Sequence, residues 1–243
     1  MSEYLKLKVR VNMKILSVDS SAVTATVSIL DKRKVVGLFS TNSGLTHSRT
    51  LLPMVDAVLK NSETELSDID CFACSVGPGS FTGVRIGVAT IKGLADGLEK
   101  KCIAVSTLKA LAYNLLGGNA VACCVMDARR NQVYTACFDI NGDAVTRLTE
   151  DEAIEIDELG KRLAAYDKKV VFVGDGAELC HKALGYYIAP PSVRYQNAAS
   201  VALCALDDFD ESKLLSPKEL MPKYLRLPQA ERELRAGKLK IKD

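Results

Sequence analysis

The residues best placed to do chemistry lie in the run Gly77-Pro78-Gly79-Ser80-Phe81-Thr82-Gly83, which reads as a loop between a strand and a helix. Glycines at such a junction let backbone N–H groups close on an anion at a helix N-terminus, so Gly77, Gly79 and Ser80 are candidates for phosphate binding. The spacing is G-x-G-x-x-x-G, one residue longer than the dinucleotide fingerprint, and the Gly-Lys-Ser/Thr end of a P-loop is missing. A tight turn with close helix packing explains the glycines equally well, and the sequence leaves both readings open. Asp19 and Asp127 each end a strand-like run. A nucleotide phosphotransferase places carboxylates at such points, around a metal and its phosphates. A turn or helix-cap role accounts for each aspartate as well and is the reading preferred here.

Other chemistries find less support. The chain has only two histidines, His47 and His181, in different halves and without a second ligand at helical spacing, which argues against a His-based metal centre. His47, at the start of an amphipathic helix, reads as a capping or interface residue. No Gly-x-Ser-x-Gly elbow occurs. Cys71-Phe72-Ala73-Cys74 matches C-x-x-C but sits inside an apolar run, so core packing is expected, as for most of the eight cysteines.

Apolar stretches such as Ala120 to Met126 are strand-length, far short of a membrane span. The opening MSEYLKLKVRVN alternates apolar with basic residues and has no uninterrupted apolar core, so it does not read as a secretory signal. A cytoplasmic location without membrane contact is the expectation. With 32 basic and 30 acidic residues the net charge is +2, too small for a global field that draws in nucleic acid. Any RNA contact must be local, and the basic tail from Arg232 to Lys242 is one candidate, a solvated chain end being the alternative.

The elements that must position these residues follow from periodicity. Met13 to Asp19 reads as a β-branched strand, Val23 to Leu30 alternates with period two, and Lys34 to Thr41 completes a meander. Leu51, Leu52, Val55, Val58 and Leu59 form one apolar face of a helix from His47 to Lys60, with Thr46 as N-cap. A strand from Asp70 to Val76 then leads through the glycine loop into a helix from about Thr82 to Glu99. Gly83 and Gly87, and then Gly93 and Gly97, are each four apart on that helix. Glycine costs about 1 kcal/mol against alanine inside a helix, so close approach of another backbone is expected at all four.

The second half repeats the pattern. Ala120 to Met126 ends at Asp127, Gln132 to Ile140 alternates, and Lys169 to Val173 runs into Gly174-Asp175-Gly176 and a helix from Ala177 to Leu184. Further helices are expected at Ile154 to Tyr166 and at Asn197 to Phe209, with an extended segment from Ser216 to Leu227. The pattern predicts a duplicated α/β fold: an N-terminal extension over 1–12, one lobe over 13–105 and a second over 106–243 that ends in the basic tail.

MKILSVDSSAVTATVSIL, HSRTLLPMVDAVL, SVGPGSFTGVRIGVATIKGLA and PKYLR together resemble the TsaB (YeaZ) family of bacterial threonylcarbamoyladenosine synthesis, from Met13 to about Arg226, with Arg85 following GPGSFTG. The resemblance implies the actin/Hsp70-like (ribonuclease H-like) two-lobe fold. It also implies kinship with the catalytic paralogue TsaD, which modifies the adenosine next to the tRNA anticodon. Thr107 and Leu111 stand where that paralogue has its H-x-x-x-H histidines.

By the same resemblance the first-lobe helices should pack on a TsaD-like subunit, or on a second copy of the chain when that subunit is absent. His47, Leu51, Leu52, Val55, Val58, Leu59, Gly83, Gly87 and Ile91 are the expected contact residues. A TsaE-like ATPase and tRNA are expected to engage the complex. No catalytic or metal residue is assigned, and no cofactor is required, although ATP or ADP at the joint with the partner is possible through Asp19 and the glycine loop. The rival readings are an ATP-dependent phosphotransferase of the same fold and a metal-dependent peptidase, the latter disfavoured by the two lone histidines.

Overall fold

The computed structural model describes residues 12–226. The expectations for the extension before residue 12 and for the basic tail from Arg232 to Lys242 lie outside the described residues.

Lys14–Asp19 (β1), Ala25–Asp31 (β2) and Lys34–Thr41 (β3) form the predicted meander, followed by His47–Asn61 (α1), Cys71–Gly77 (β4), Phe81–Asp96 (α2), Lys101–Ser106 (β5) and Thr107–Ala112 (α3). The strand order is β3-β2-β1-β4-β5. β1 is antiparallel to β2 and parallel to β4, and β4 is parallel to β5.

The second sheet uses Asn119–Asp127 (β6), Gln132–Asn141 (β7), Ala144–Arg147 (β8), Glu152–Glu155 (β9), Val170–Val173 (β10) and Tyr187–Ile188 (β11). Its helices are Ile156–Leu163 (α4), Ala177–Leu184 (α5), Pro191–Arg194 (α6) and Ala198–Asp207 (α7). Read from the hairpin side, the order β8-β7-β6-β10-β11 repeats that of the first sheet, with β9 as a further partner of β7. This is the duplicated actin/Hsp70-like, ribonuclease H-like architecture. The helix expected from Ile154 begins only at Ile156, because Glu152–Glu155 pairs with β7 as a strand, Ile154 opposite Val133.

Each sheet is covered on both faces, so its central strands are buried along their whole length rather than in alternation. Alternate residues still choose opposite layers. Leu16, Val18, Phe72 and Cys74 face the core under α1 and α2, while Ile15, Cys71 and Ala73 face the core under α7. One helix crosses between halves: α3 packs on β6 and β7 of its own lobe, whereas α7, also from the second half of the chain, packs on β1 and β2. The crossing is pinned where the Ser17 hydroxyl donates to the Ala198 carbonyl at 2.7 Å. α7, placed by sequence in the lobe over 106–243, therefore completes the first lobe's core.

Candidate functional site

The loop after β1 is organised by Asp19, a side chain with almost no contact with solvent. One carboxylate oxygen accepts the Ser21 N–H at 2.8 Å and the Ser21 hydroxyl at 2.6 Å, and the other accepts the Ser75 hydroxyl at 2.6 Å. Burial raises its pKa above the ordinary carboxylate value, opposed by these three hydrogen bonds. The carboxylate is directed into the protein, where it fixes the β1–β2 turn against β4.

The glycine loop closes on that same turn. A Cβ on Gly79 would overlap the Ser21 carbonyl oxygen, one on Gly83 the Ser20 carbonyl oxygen, and one on Gly87 would lie 2.5 Å from Ser20 Oγ. Ser80 N–H donates to the Ser21 carbonyl at 2.7 Å, and Ser20 Oγ donates to the Gly83 carbonyl at 2.9 Å. The Ser80 hydroxyl caps α2 by accepting the Gly83 N–H at 3.2 Å. His47 Nε2 joins the knot by donating to the Ala22 carbonyl at 2.7 Å. The space that absent side chains leave at Gly79 and Gly83 is thus taken by the protein's own backbone, which favours close packing over an anion cradle.

A segment near the end of the described chain then crosses from one lobe to the other. Lys223 N–H donates to the Val76 carbonyl at 2.7 Å, and a Cβ on Gly77 would overlap the Lys223 carbonyl oxygen. The Tyr224 ring stacks on Phe81 at 4.4 Å, and Arg85 Nε donates to the Tyr224 hydroxyl at 2.7 Å. Arg226 reaches the second lobe, donating to the Ala128 carbonyl at 3.1 Å and to Gln132 Oε1.

In the second lobe Asp127 accepts the Arg129 N–H at 2.7 Å, the turn role preferred from sequence. Arg129, Arg130 and Asn131 all have φ near +60°, so this turn is held in a strained left-handed conformation. Asp175, between Gly174 and Gly176, is the unusual acid here. Burial pushes its pKa up to about 6, with smaller contributions from the charges of Asp127 and Asp19, against a hydrogen bond from Gln196 Nε2 at 3.4 Å. Because the folded pKa lies above the unfolded one, the stability Asp175 contributes is complete below about pH 4 and is lost as pH rises through about 6. Asp175→Asn should therefore flatten the pH dependence across that window and exceed wild type by on the order of 2 kcal/mol near neutrality. Urea midpoints measured across the window check this, and parallel curves for the two proteins would refute it.

The C-x-x-C cysteines are buried in β4, where burial pushes Cys71 up to about 12 and Cys74 well above its usual value. Thiolate chemistry is suppressed there.

A sequence model described as "TsaD: tRNA N6-adenosine threonylcarbamoyltransferase" matches residues 24–235. The chain is 30% identical over 224 residues to the "tRNA threonylcarbamoyladenosine biosynthesis protein TsaB" of Bacillus subtilis, covering 90% of this chain and 96% of that one. The TsaB of Escherichia coli is 31% identical over 220 residues, covering 88% and 95%. The chain belongs to the TsaB family. Among solved structures, YeaZ from Pseudomonas aeruginosa superposes with a TM-score of 0.73 at 24% identity, over 88% of this chain and all of that one, a likeness of fold.

The two positions of this TsaB-family chain expected to match the paralogue's histidines fall inside the protein. Thr107 and Leu111 of α3 are both buried, and Leu111 packs in the core of the second lobe. Much of the expected partner face packs within the chain itself. Leu51, Val55, Val58 and Ile91 are 1%, 3%, 4% and 0% exposed, because α1 and α2 turn these side chains onto their own sheet. Gly83 and Gly87 meet the β1–β2 turn. His47 and Leu59 are half-buried, and Leu52 alone of the expected apolar contacts is well exposed, at 54%.

Close approach, expected at all four helix glycines, holds for Gly83 and Gly87 but not for the other two. Gly93 has nothing within 4 Å of its would-be Cβ, and Gly97 meets only backbone carbonyls of its own helix. With Ala89, also exposed, they form a smooth outward line along α2. The sequence reading missed the stacking partners Phe81 and Tyr224 and the bridging Arg226; the signal available was the aromatic and basic content of PKYLR.

Proposed function

We propose that this chain serves formation of threonylcarbamoyladenosine next to the tRNA anticodon as a non-catalytic subunit that binds and stabilises a TsaD-like threonylcarbamoyltransferase. Family membership supports the pathway. The observation that carries the partner role is the outer face of the α1–α2 pair. Gly93 weakens the helix by about 1 kcal/mol relative to alanine, and the open space beside it gives another helix room for close approach. Exposed Leu52 on neighbouring α1 adds an apolar anchor.

A quiet cleft fits the same reading. The Asp19 carboxylate is committed to Ser21 and Ser75, and the glycine loop is packed on its own turn, so the chain is proposed to need no nucleotide of its own. A TsaE-like ATPase and tRNA are then expected to engage the assembled complex, the free chain can self-associate through the same helices, and the setting is the cytoplasm. Among the described residues no helix is long and apolar enough to cross a membrane.

Leu52→Asp and Gly93→Leu should each weaken co-purification with the TsaD-like subunit by roughly 10- to 100-fold while leaving the unfolding midpoint of the isolated chain near wild type. Wild-type affinity in both variants would remove the partner face from consideration. Calorimetric titration of ATP separates the phosphotransferase alternative, since micromolar binding with turnover by the chain alone would favour it.

A further inference from the structure

The segment from Met221 to Arg226 does more than tie the lobes together, because it carries positive charge and an aromatic face to the surface at their junction. Lys223 is exposed, and its contacts to β4 are made by backbone atoms. Arg85 is exposed, spends Nε on the Tyr224 hydroxyl, and holds its guanidinium 5.6 Å from the Tyr224 ring centre and 5.9 Å from that of Phe81. Arg226 hydrogen-bonds neutral oxygens and lies 5.7 Å from the Tyr134 ring centre. Its anchor, Ala128, directly precedes Arg129, whose side chain is 86% exposed and whose only ion pair among the described residues is a loose one to Asp127 at 3.4 Å. Arg85, Lys223, Arg226 and Arg129 therefore form one basic line that crosses from the first lobe to the second, interleaved with Phe81, Tyr224 and Tyr134.

We infer that this line is an RNA-binding surface, which contacts the phosphodiester backbone and stacks an unpaired base near Tyr224. The inference rests on the proposed role in tRNA modification and names the surface through which this subunit would meet the RNA. Three features favour RNA over a small anion. The charges are strung along a track rather than gathered around a pocket, as suits successive phosphates. The exposed Tyr224 ring and the Arg85 guanidinium beside it offer planes of the kind that single-stranded bases stack on, while Phe81 and the buried Tyr134 back them. The groove between Gly79, Val84 and Tyr224 is shallow and encloses no room for a buried ligand. A net charge of +2 then poses no obstacle, since the attraction is local.

The test uses the co-purified complex with the TsaD-like subunit and a fluorescein-labelled unmodified tRNA transcript, read by anisotropy over a salt series. The double variant Lys223→Glu, Arg129→Gln should raise Kd roughly 10-fold and lower the slope of log K against log salt by about 2, whereas Lys161→Glu on α4, which is not part of the line, should change neither. A photo-crosslinking residue in place of Tyr224 should label the RNA. Unchanged Kd and slope in the double variant, or crosslinks to the protein subunit alone, would overturn the inference. Loss of co-purification in the double variant would also overturn it, by making this surface a protein interface. Failure of wild type to co-purify would instead count against the proposed function.

Discussion

Replacing Gly83 by alanine should destabilise the folded chain by about 3 kcal/mol, although alanine is the better helix former. The added methyl would overlap the Ser20 carbonyl, and that carbonyl cannot simply withdraw. Its residue donates a hydroxyl to the Gly83 carbonyl, the next residue is held by both the Asp19 carboxylate and Ser80 N–H, and the one after by His47. Relief at one point therefore strains several hydrogen bonds. Gly93→Ala, in open space on the same helix, should stabilise by up to about 1 kcal/mol. Thermal unfolding of the two variants checks the contrast, at about 2–4 °C per kcal/mol for a chain of this size. Equal midpoints would mean that the junction is soft and the packing argument wrong.

Val55→Asp should cost about 4 kcal/mol and leave little soluble protein, because a carboxylate would be placed without a partner between α1 and β2. From the family resemblance together with the apolar face of α1, a charge at Val55 or Val58 reads as a blow to the complex. Its target is instead the fold, since Val58 packs against Gly37 of β3 and Val55 lies in the same core. Circular dichroism and the soluble yield of Val55→Asp beside those of Leu52→Asp distinguish the two effects. A well-folded Val55→Asp that fails only in assembly would restore the original face.

These outcomes mark what a sequence can and cannot convey. Period two placed β2 to within two residues and period 3.6 placed α1 almost to the residue, because both patterns record which side chains share a side. Neither pattern records what covers that side, so the apolar residues of α1 could not be divided between the chain's own sheet and a partner. Spacing by four could not separate Gly83 and Gly87, which meet a neighbouring turn, from Gly93 and Gly97, which meet none, because the difference lies in residues 20 and 21, far away along the chain. The short strands β8, β9 and β11 escaped notice, as two to four residues leave too little alternation to detect. The duplication was legible from Asp19 and Asp127, whereas the tie from Tyr224 to Phe81 joins single residues of no repeating pattern.

The return of α7 to the first sheet has a bearing on how the protein is made. β1 and β2 are synthesised early, yet the helix that shields their second side arrives with Ala198, whose carbonyl meets a hydroxyl 181 positions upstream. Throughout most of translation the nascent amino-terminal half displays a bare greasy layer that includes Ile15, Leu30 and Ala73. A ribosome stalled before α7 emerges would hold a sticky, half-dressed sheet, and early termination there should yield aggregates rather than a free-standing half.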